Sequence, residues 1–297
     1  MAADGVIVLD KPSGITSFRA VERVRSVFRG RKCGHAGTLD PIATGVLPVC
    51  VGRATKIAGY LAAQEKEYDA YFRFGVETDT GDSVGKQIGA TPGKYAEEDA
   101  VRAAIAGLVG EWDQVPPAFS AVKVAGARAY DLARQGKRVE LAGRKVIVYE
   151  GKVLSWSPEG FRAFLRCSKG FYVRALSRDL GSALGVSMTV SGLRRLKSGP
   201  FRIEESISLA DLVAAGKRGE AHACLVPIER ALAGFPRQEV PSEAAAAVRQ
   251  GRSPAAWLEG RSGVRTGEAV LLTSGEEGPV ALVERVATGV WKILRGI

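Results

Sequence analysis

Histidine is almost missing from this chain: His35 and His222 are the only two in 297 residues, and the four cysteines, Cys33, Cys50, Cys167 and Cys224, include no Cys-x-x-Cys pair. A metal site of histidine and cysteine ligands at ordinary spacing cannot be drawn from that set. Cysteines so scattered, each in or beside an apolar or glycine-containing segment, fit free thiols in a reducing compartment rather than a disulfide framework. No apolar run reaches the roughly 18 residues of a membrane span. The opening Met1-Ala2-Ala3-Asp4-Gly5 has no basic region followed by an apolar stretch, so no signal peptide is expected and the protein is placed in the cytoplasm. Nor is there a triphosphate-binding loop, because three residues rather than four separate Gly81 from Gly85, and Gln87 stands where a serine or threonine is required.

What is present is an apolar content of 46%, enough for a proper core in one large domain or two unequal ones, and a net charge of +10. The charge is clustered. Residues 1–60 carry +5, 61–117 carry −6, 118–150 carry +4 and 161–203 carry +8, while 204–297 are near balance at −1. Three basic segments separated by an acidic one suggest an electropositive face for a polyanion, with nucleic acid the leading partner; a solvated basic surface is the alternative.

The most informative stretch is Gly34-His35-Ala36-Gly37-Thr38-Leu39-Asp40-Pro41-Ile42-Ala43-Thr44-Gly45. Its glycines and proline forbid a long regular element and imply a sharply folded loop. A lone carboxylate, Asp40, lies among Leu39, Ile42, Val46 and Leu47, where partial desolvation disfavours its charge unless a cation pairs with it. Such a group is a candidate nucleophile or base, although Asp40-Pro41 read alone is more often a turn initiator or helix cap.

Strands are predicted over 6–9, 46–51, 65–74, 145–157, 161–167, 188–196 and 200–203, and 77–82 is read as a loop. A helix should start at Thr16 or Ser17, with Phe18, Val21 and Val24 on its core face and Arg19, Arg23, Arg25 and Arg29 between them. Further helices are expected over 53–63, 96–109, 127–135, 172–184, 208–215 and 227–233. Beyond about 235 the composition shifts, and short strands over 270–272, 280–283 and 290–294 predict a small β-rich unit.

Ordered blocks between residues 9 and 195 then carry a resemblance: Leu9-Asp10-Lys11-Pro12-Ser13-Gly14-Ile15-Thr16-Ser17, the 34–48 loop, Lys66-Glu67-Tyr68, the 75–82 segment, Pro116-Pro117-Ala118-Phe119-Ser120-Ala121-Val122-Lys123, Gly170-Phe171-Tyr172-Val173-Arg174-Ala175-Leu176 and Leu193-Arg194-Arg195. On these the chain resembles the bacterial TruB-type tRNA pseudouridine synthases, which isomerise uridine 55 in the T-loop. The resemblance implies an α+β fold: a catalytic domain over 1–233 on a mixed, largely antiparallel sheet, a basic thumb-like insertion at about 118–145, and a small β-rich, PUA-like RNA-binding domain over 235–297. It implies Asp40 as the catalytic aspartate, Arg174 as its ion-pair partner and Tyr68 as the tyrosine that stacks on the target base and takes part in removing the C5 proton. His35 would occupy the space left by the flipped base, Leu193 would line the base pocket, and Lys11 and Pro12 would support the cleft, with Gly37, Thr38 and Tyr172 also facing substrate. Arg194 and Arg195 would contact phosphate or brace the site. No cofactor, metal or guide RNA is implied, and a monomer acting on the tRNA T-arm is expected. Taken singly, Tyr68 and Leu193 also read as strand core, Arg174 as a phosphate contact or surface charge, and His35 as a loop residue of no assignable role. Two departures from the family pattern, Phe171 and Met188-Thr189, bear on RNA contacts rather than on Asp40.

Overall fold

The computed structural model describes residues 4–120, 123–124, 127–130, 141–258, 264–275 and 278–297. In chain order the first half contains β1 (Gly5–Lys11), α1 (Ser17–Val27), β2 (Cys33–His35), β3 (Thr44–Val51), α2 (Ala58–Ala62), β4 (Lys66–Phe74), β5 (Val76–Thr78), β6 (Gln87–Ala90), α3 (Glu98–Ala106) and β7 (Gly110–Gln114). Then come β8 (Lys123–Val124), β9 (Ala127–Arg128), β10 (Arg144–Ser157), β11 (Gly160–Cys167), α4 (Val173–Leu184), β12 (Met188–Ser198), β13 (Phe201–Arg202), β14 (Ile207–Ser208), α5 (Leu209–Lys217) and α6 (Ile228–Ala231). The last part adds β15 (Arg237–Glu239), α7 (Ser242–Arg249), α8 (Ala255–Leu258), β16 (Ala269–Ser274), β17 (Gly278–Ala287) and β18 (Val290–Gly296).

The unbroken apolar run of β1 has both faces covered, and that is why it does not alternate. It lies in a ten-stranded sheet of order β14-β1-β3-β12-β4-β11-β10-β7, with β2 added to β3 and β13 to β12. Only β1 with β14 and β3 with β12 run parallel, so the sheet is mixed and largely antiparallel. Helix α1 starts where Thr16 accepts a hydrogen bond from the Arg19 amide at 3.1 Å, and buries Ala20, Val21 and Val24. Leu176 and Leu180 are the buried stripe of α4, and Gly185 ends that helix in a left-handed conformation.

Several expectations change. The helix expected over 53–63 is split into a tight 3₁₀ turn, Gly52–Lys56, and the short α2. The 77–82 loop begins inside a hairpin, since β5 pairs with β6. Ala127 and Arg128, assigned to a short helix, form a strand with Lys123 and Val124, while 131–135 of that helix, like much of the insertion, lie outside the described residues. The unpredicted β7 is the polar edge of the large sheet, paired to β10 from Gly110↔Val148 to Gln114↔Arg144.

The charge segregation also acquires a second cause. β4 sits between basic β11 and β12, and the carboxylates at and just before its start answer their cations: Arg162 pairs with Asp69, Arg166 with Glu65, and Lys197 with Glu65 and Glu67. Much of what reads as an electropositive face is cross-strand complementarity within one sheet.

The C-terminal sheet, of order β15-β16-β17-β18, carries its own core of Val270, Leu272, Val280, Val283 and Trp291 under the unpredicted helix α7. Its other face is not free. Leu271, Leu282 and Ile297 join Val6, Val8, Val46 and Ile228 in one apolar cluster, so the two sheets share a core. Among the described residues no helix is long and apolar enough to cross a membrane.

Candidate active site

The loop that carries Asp40 is the connection of the β2–β3 hairpin, closed by Ala36 N–H to Pro48 O at 2.9 Å and by Ala43 N–H to Asp40 O at 3.0 Å. Its glycines have specific reasons. Gly45 has φ +97°, and a Cβ there would stand 2.2 Å from the carbonyl oxygen of Arg195, its partner on the parallel neighbour strand β12. Three side chains then pin the loop from outside. The Ser17 hydroxyl donates to Leu39 O at 2.9 Å and accepts from Leu39 N–H at 2.8 Å. Lys11, with no exposed surface, donates from Nζ to the carbonyls of Pro12 (2.8 Å), Ile15 (2.7 Å) and, more loosely, Pro41 (3.4 Å). Arg195, also buried, donates to Val46 O at 2.7 Å, Thr38 O at 3.2 Å and Gly37 O at 3.1 Å.

Arg174 reaches the carboxylate from the first turn of α4. Its Nε lies 2.8 Å from Asp40 Oδ2 and its Nη2 3.0 Å from Oδ1, a two-point pairing of planar groups. The remaining donors go to Thr80 O at 2.8 Å and Phe119 O at 2.9 Å, and the buried carboxylate of Asp82 stands 3.7 Å from Nε. Four of the five guanidinium N–H groups are thus committed at 5% side-chain exposure, whereas Asp40 keeps 32% of its side chain open to an incoming molecule. Gly81, at φ +74°, lets the 78–82 segment approach this helix; a Cβ there would lie 2.6 Å from the Arg174 carbonyl oxygen.

Tyr68 on β4 pairs across to Arg195 on β12, and Leu193 pairs to Ala70, so Tyr68, Leu193 and Arg195 lie on one face. Burial pushes the Tyr68 phenol up, against the pull of the neighbouring Arg195. Burial draws Lys11 down to about 8, with Asp40 working the other way and Arg195 adding to the fall. Lys66 is likewise drawn down to about 8 by burial, its Nζ held by the carbonyls of Ala62 and Gln64 at 2.5 Å each. His35 sits at the end of β2 opposite Val49; burial and then Arg195 lower its basicity, and its Nδ1 is buried without a hydrogen-bond partner.

The structure therefore gathers Asp40, Arg174, Lys11 and Tyr68, with Leu193 on the wall. Gly37 and Thr38 take part through their carbonyls, Pro12 is exposed beside Lys11, and Tyr172 enters through its backbone. Arg195 braces the loop, while Arg194 pairs with Asp10 at 2.8 Å. Asp82 and Lys66, although in blocks that carry the resemblance, have no role assigned from the sequence, and Gln114 lies outside those blocks. The signals that could have found them are the polar run before Asp82 and the place of Lys66 beside Tyr68; Gln114 had none. An open groove of about 1230 Å³, lined by Lys11, Pro12, Thr44, Arg19, Arg23 and Arg194, runs along α1 beside the loop. Among the described residues no group of three or more histidine, cysteine, aspartate or glutamate side chains is placed to hold a metal ion. A half-open carboxylate fixed by a buried arginine, beside a buried phenol in a dry wall, can act as a nucleophile or as a base.

Comparison with known proteins agrees with that chemistry. Residues 25–173 match the family model described as TruB family pseudouridylate synthase (N terminal domain), and residues 174–233 match that of the tRNA pseudouridylate synthase B C-terminal domain. The chain is 45% identical over 244 residues to the tRNA pseudouridine synthase B of Chromohalobacter salexigens, covering 81% of this chain and 78% of that one. It is 40% identical over 292 residues to the protein of the same name from Aromatoleum aromaticum, covering 96% and 94%. Its fold is similar to that of a chain in the crystal structure of a Cbf5-Nop10-Gar1 complex, with a TM-score of 0.77 at 28% identity over 100% of this chain and 84% of that one. With a family model covering half its length and relatives this similar over most of the rest, the chain belongs to the TruB family of pseudouridylate synthases.

Proposed function

We propose that the protein is a stand-alone synthase that converts uridine 55 in the T-loop of tRNA to pseudouridine, and that Asp40 is the residue on which the reaction turns. The observation that carries this reading is the two-point Asp40–Arg174 pair, in which the arginine is buried and the carboxylate stays open. The target uracil is stacked inside a folded loop, so it must be flipped out before any side chain can reach it. Tyr68 and Leu193 offer the flipped base an apolar wall, and His35 would take the place in the T-loop that the base leaves. The C1′–N1 bond breaks, the base turns, and C1′ joins C5; C5 gives up its proton and N1 gains one, so nothing is consumed. Asp40 acts at C1′, assists removal of a sugar proton, or adds to C6. Tyr68 is a neutral phenol because burial pushes it up, so it takes the C5 proton only as it hands its own on. Lys11 and Arg195 hold the loop, and with it the carboxylate, at the geometry the attack needs. The C-terminal sheet is read as a second RNA-binding surface and the 118–145 insertion as a grip on the T-arm.

The test is release of tritium from 5-³H-uridine in a T-arm stem-loop. Wild type should release it without guide RNA or partner proteins, and Asp40→Asn should bind the RNA but release none. Tight binding without release by wild type would turn the reading toward an RNA-folding protein. Release only in the presence of added guide RNA would remove the stand-alone assignment.

A further inference from the structure

The first turn of α4 carries Arg174, yet it begins poorly. The N-cap residue, Tyr172, offers no side-chain cap, and no acidic residue stands in the first turn. A cation there also opposes the helix dipole. Something outside the helix must fix its start.

Gln114, at the end of β7, does so. Its side chain has no exposed surface, and its amide grips both backbone groups of Tyr172: Nε2 donates to Tyr172 O at 3.0 Å, and Oε1 accepts from Tyr172 N–H at 2.8 Å. The same carbonyl accepts from Leu176 N–H at 3.2 Å, so the amide is joined to the first helical hydrogen bond two residues before Arg174. Gln114 also marks the neck of the insertion, because its rung partner is Arg144 on β10, where the chain returns. Beyond that rung the root stays tied to α4: Arg178 donates to Val115 O at 2.9 Å, and Arg174 Nη2 donates to Phe119 O at 2.9 Å while serving Asp40 Oδ1.

We propose that Gln114 is a positioning residue for the reacting pair: it clamps the backbone of the N-cap residue of α4, where no side chain caps the helix, and joins the neck of the insertion, through Tyr172, to the Arg174–Asp40 contact. This rests on the reading of Asp40 and Arg174 given above. The side chain touches neither substrate nor Asp40; it acts by setting where the first turn of α4 begins. A shift there moves the guanidinium, and a misplacement of about 1 Å can cost on the order of 100-fold in rate.

Gln114→Glu supplies the test, because a protonated glutamate reproduces both bonds and an ionised one cannot donate to Tyr172 O. Burial pushes such a group's titration up, while Arg144 across the rung and Arg174 and Arg178 on α4 pull it down; Asp113, the preceding residue on β7, is exposed. Tritium release should be followed from pH 5.5 to 8.5, well below the unfolding temperature, with wild type and Asp40→Asn alongside. Release by wild type and none by Asp40→Asn secures the reading of the pair independently of Gln114. The expected result is then a kcat for Gln114→Glu that matches wild type at the acid end and falls about 10-fold or more toward the alkaline end, with KM unchanged and no such step in wild type. A kcat profile overlying that of wild type, with only the thermal midpoint moved, would overturn the proposal. If the glutamate variant does not fold, Gln114→Met decides: lowered kcat at unchanged KM supports the positioning role, and wild-type kcat removes it.

Discussion

Lys11 illustrates how a buried cation can be structural and still sit at the chemistry. Its ammonium is fully enclosed, three carbonyls accept its hydrogen bonds, and the carboxylate of Asp40 is near enough to raise its proton affinity without cancelling the cost of burial. The folded-state value of about 8 lies below the ordinary 10.5, so the charged form is the one the fold disfavours. Below pH 8 both folded and unfolded chains hold the proton, and the penalty is present in full. Between about 8 and 10.5 the unfolded chain binds more protons than the folded one, so stability rises with pH across that window and levels off above it. Urea unfolding of wild type and Lys11→Met at pH 8 and pH 10.5 should show the wild type gaining up to about 3 kcal/mol relative to the variant. A constant difference between the two proteins would mean that Lys11 is not desolvated. The buried cations Arg195 and Lys66 share this style, in which carbonyl oxygens rather than solvent satisfy the charge, and Arg174 adds the Asp40 carboxylate to its two carbonyls.

At the scale of elements, α1 matters less for its own stability than for what its first residue holds. Ser17 bonds both backbone groups of Leu39, the residue before Asp40, across a buried contact. Ser17→Ala leaves an unpartnered donor and acceptor in the interior, at a cost of about 2 kcal/mol. It should also lower kcat for tritium release more than it raises KM, because the loop loses a tether next to the carboxylate; an unchanged kcat would mean that Lys11 and Arg195 suffice. This tether explains in part what could and could not be read from the residues. The Gly-rich loop with its aspartate is a local pattern with chemistry written in it, whereas the Tyr-Val-Arg block that meets it takes its role from the family resemblance. The buried strands β1 and β3 and the leucine stripe of α4 follow from runs and periodicity. The polar edge strand β7 and the β5–β6 hairpin do not, because Glu111, Asp113, Gln87 and Ile88 face water and leave no alternation to see. Gln114 and Asp82 acquire their meaning only from residues more than fifty positions away, the Tyr172 backbone for one and Arg174 for the other. No single-sequence pattern encodes a contact of that range.

For the whole molecule, the net charge of +10 is a poor guide to where RNA would bind, because many of the cations are already used. Arg162, Arg166 and Lys197 answer the carboxylates at and just before the start of β4, and Lys11, Lys66, Arg174 and Arg195 are buried. By contrast, Arg23 on the outer face of α1 is exposed and makes no ion pair among the described residues; it lines the large groove beside the Asp40 loop together with Arg19 and Arg194, which are paired with Glu22 and Asp10 of the same lining, and there residues from the first and the third basic segments meet in space. A polyanion bound along that groove releases counterions in proportion to the phosphates it brings to these cations, whereas cations held in strand-to-strand pairs release few. Arg23→Ala should therefore weaken T-arm RNA binding and reduce the slope of log K against log salt by about 0.7 to 0.9. Arg162→Gln, which removes the same charge from the β4–β11 pair, should leave that slope nearly unchanged while costing about 0 to 1 kcal/mol in stability, since its guanidinium is half exposed. Equal slopes for the two variants, measured by titration from 50 to 300 mM salt, would mean that overall charge governs binding and that the groove along α1 has no special part in it.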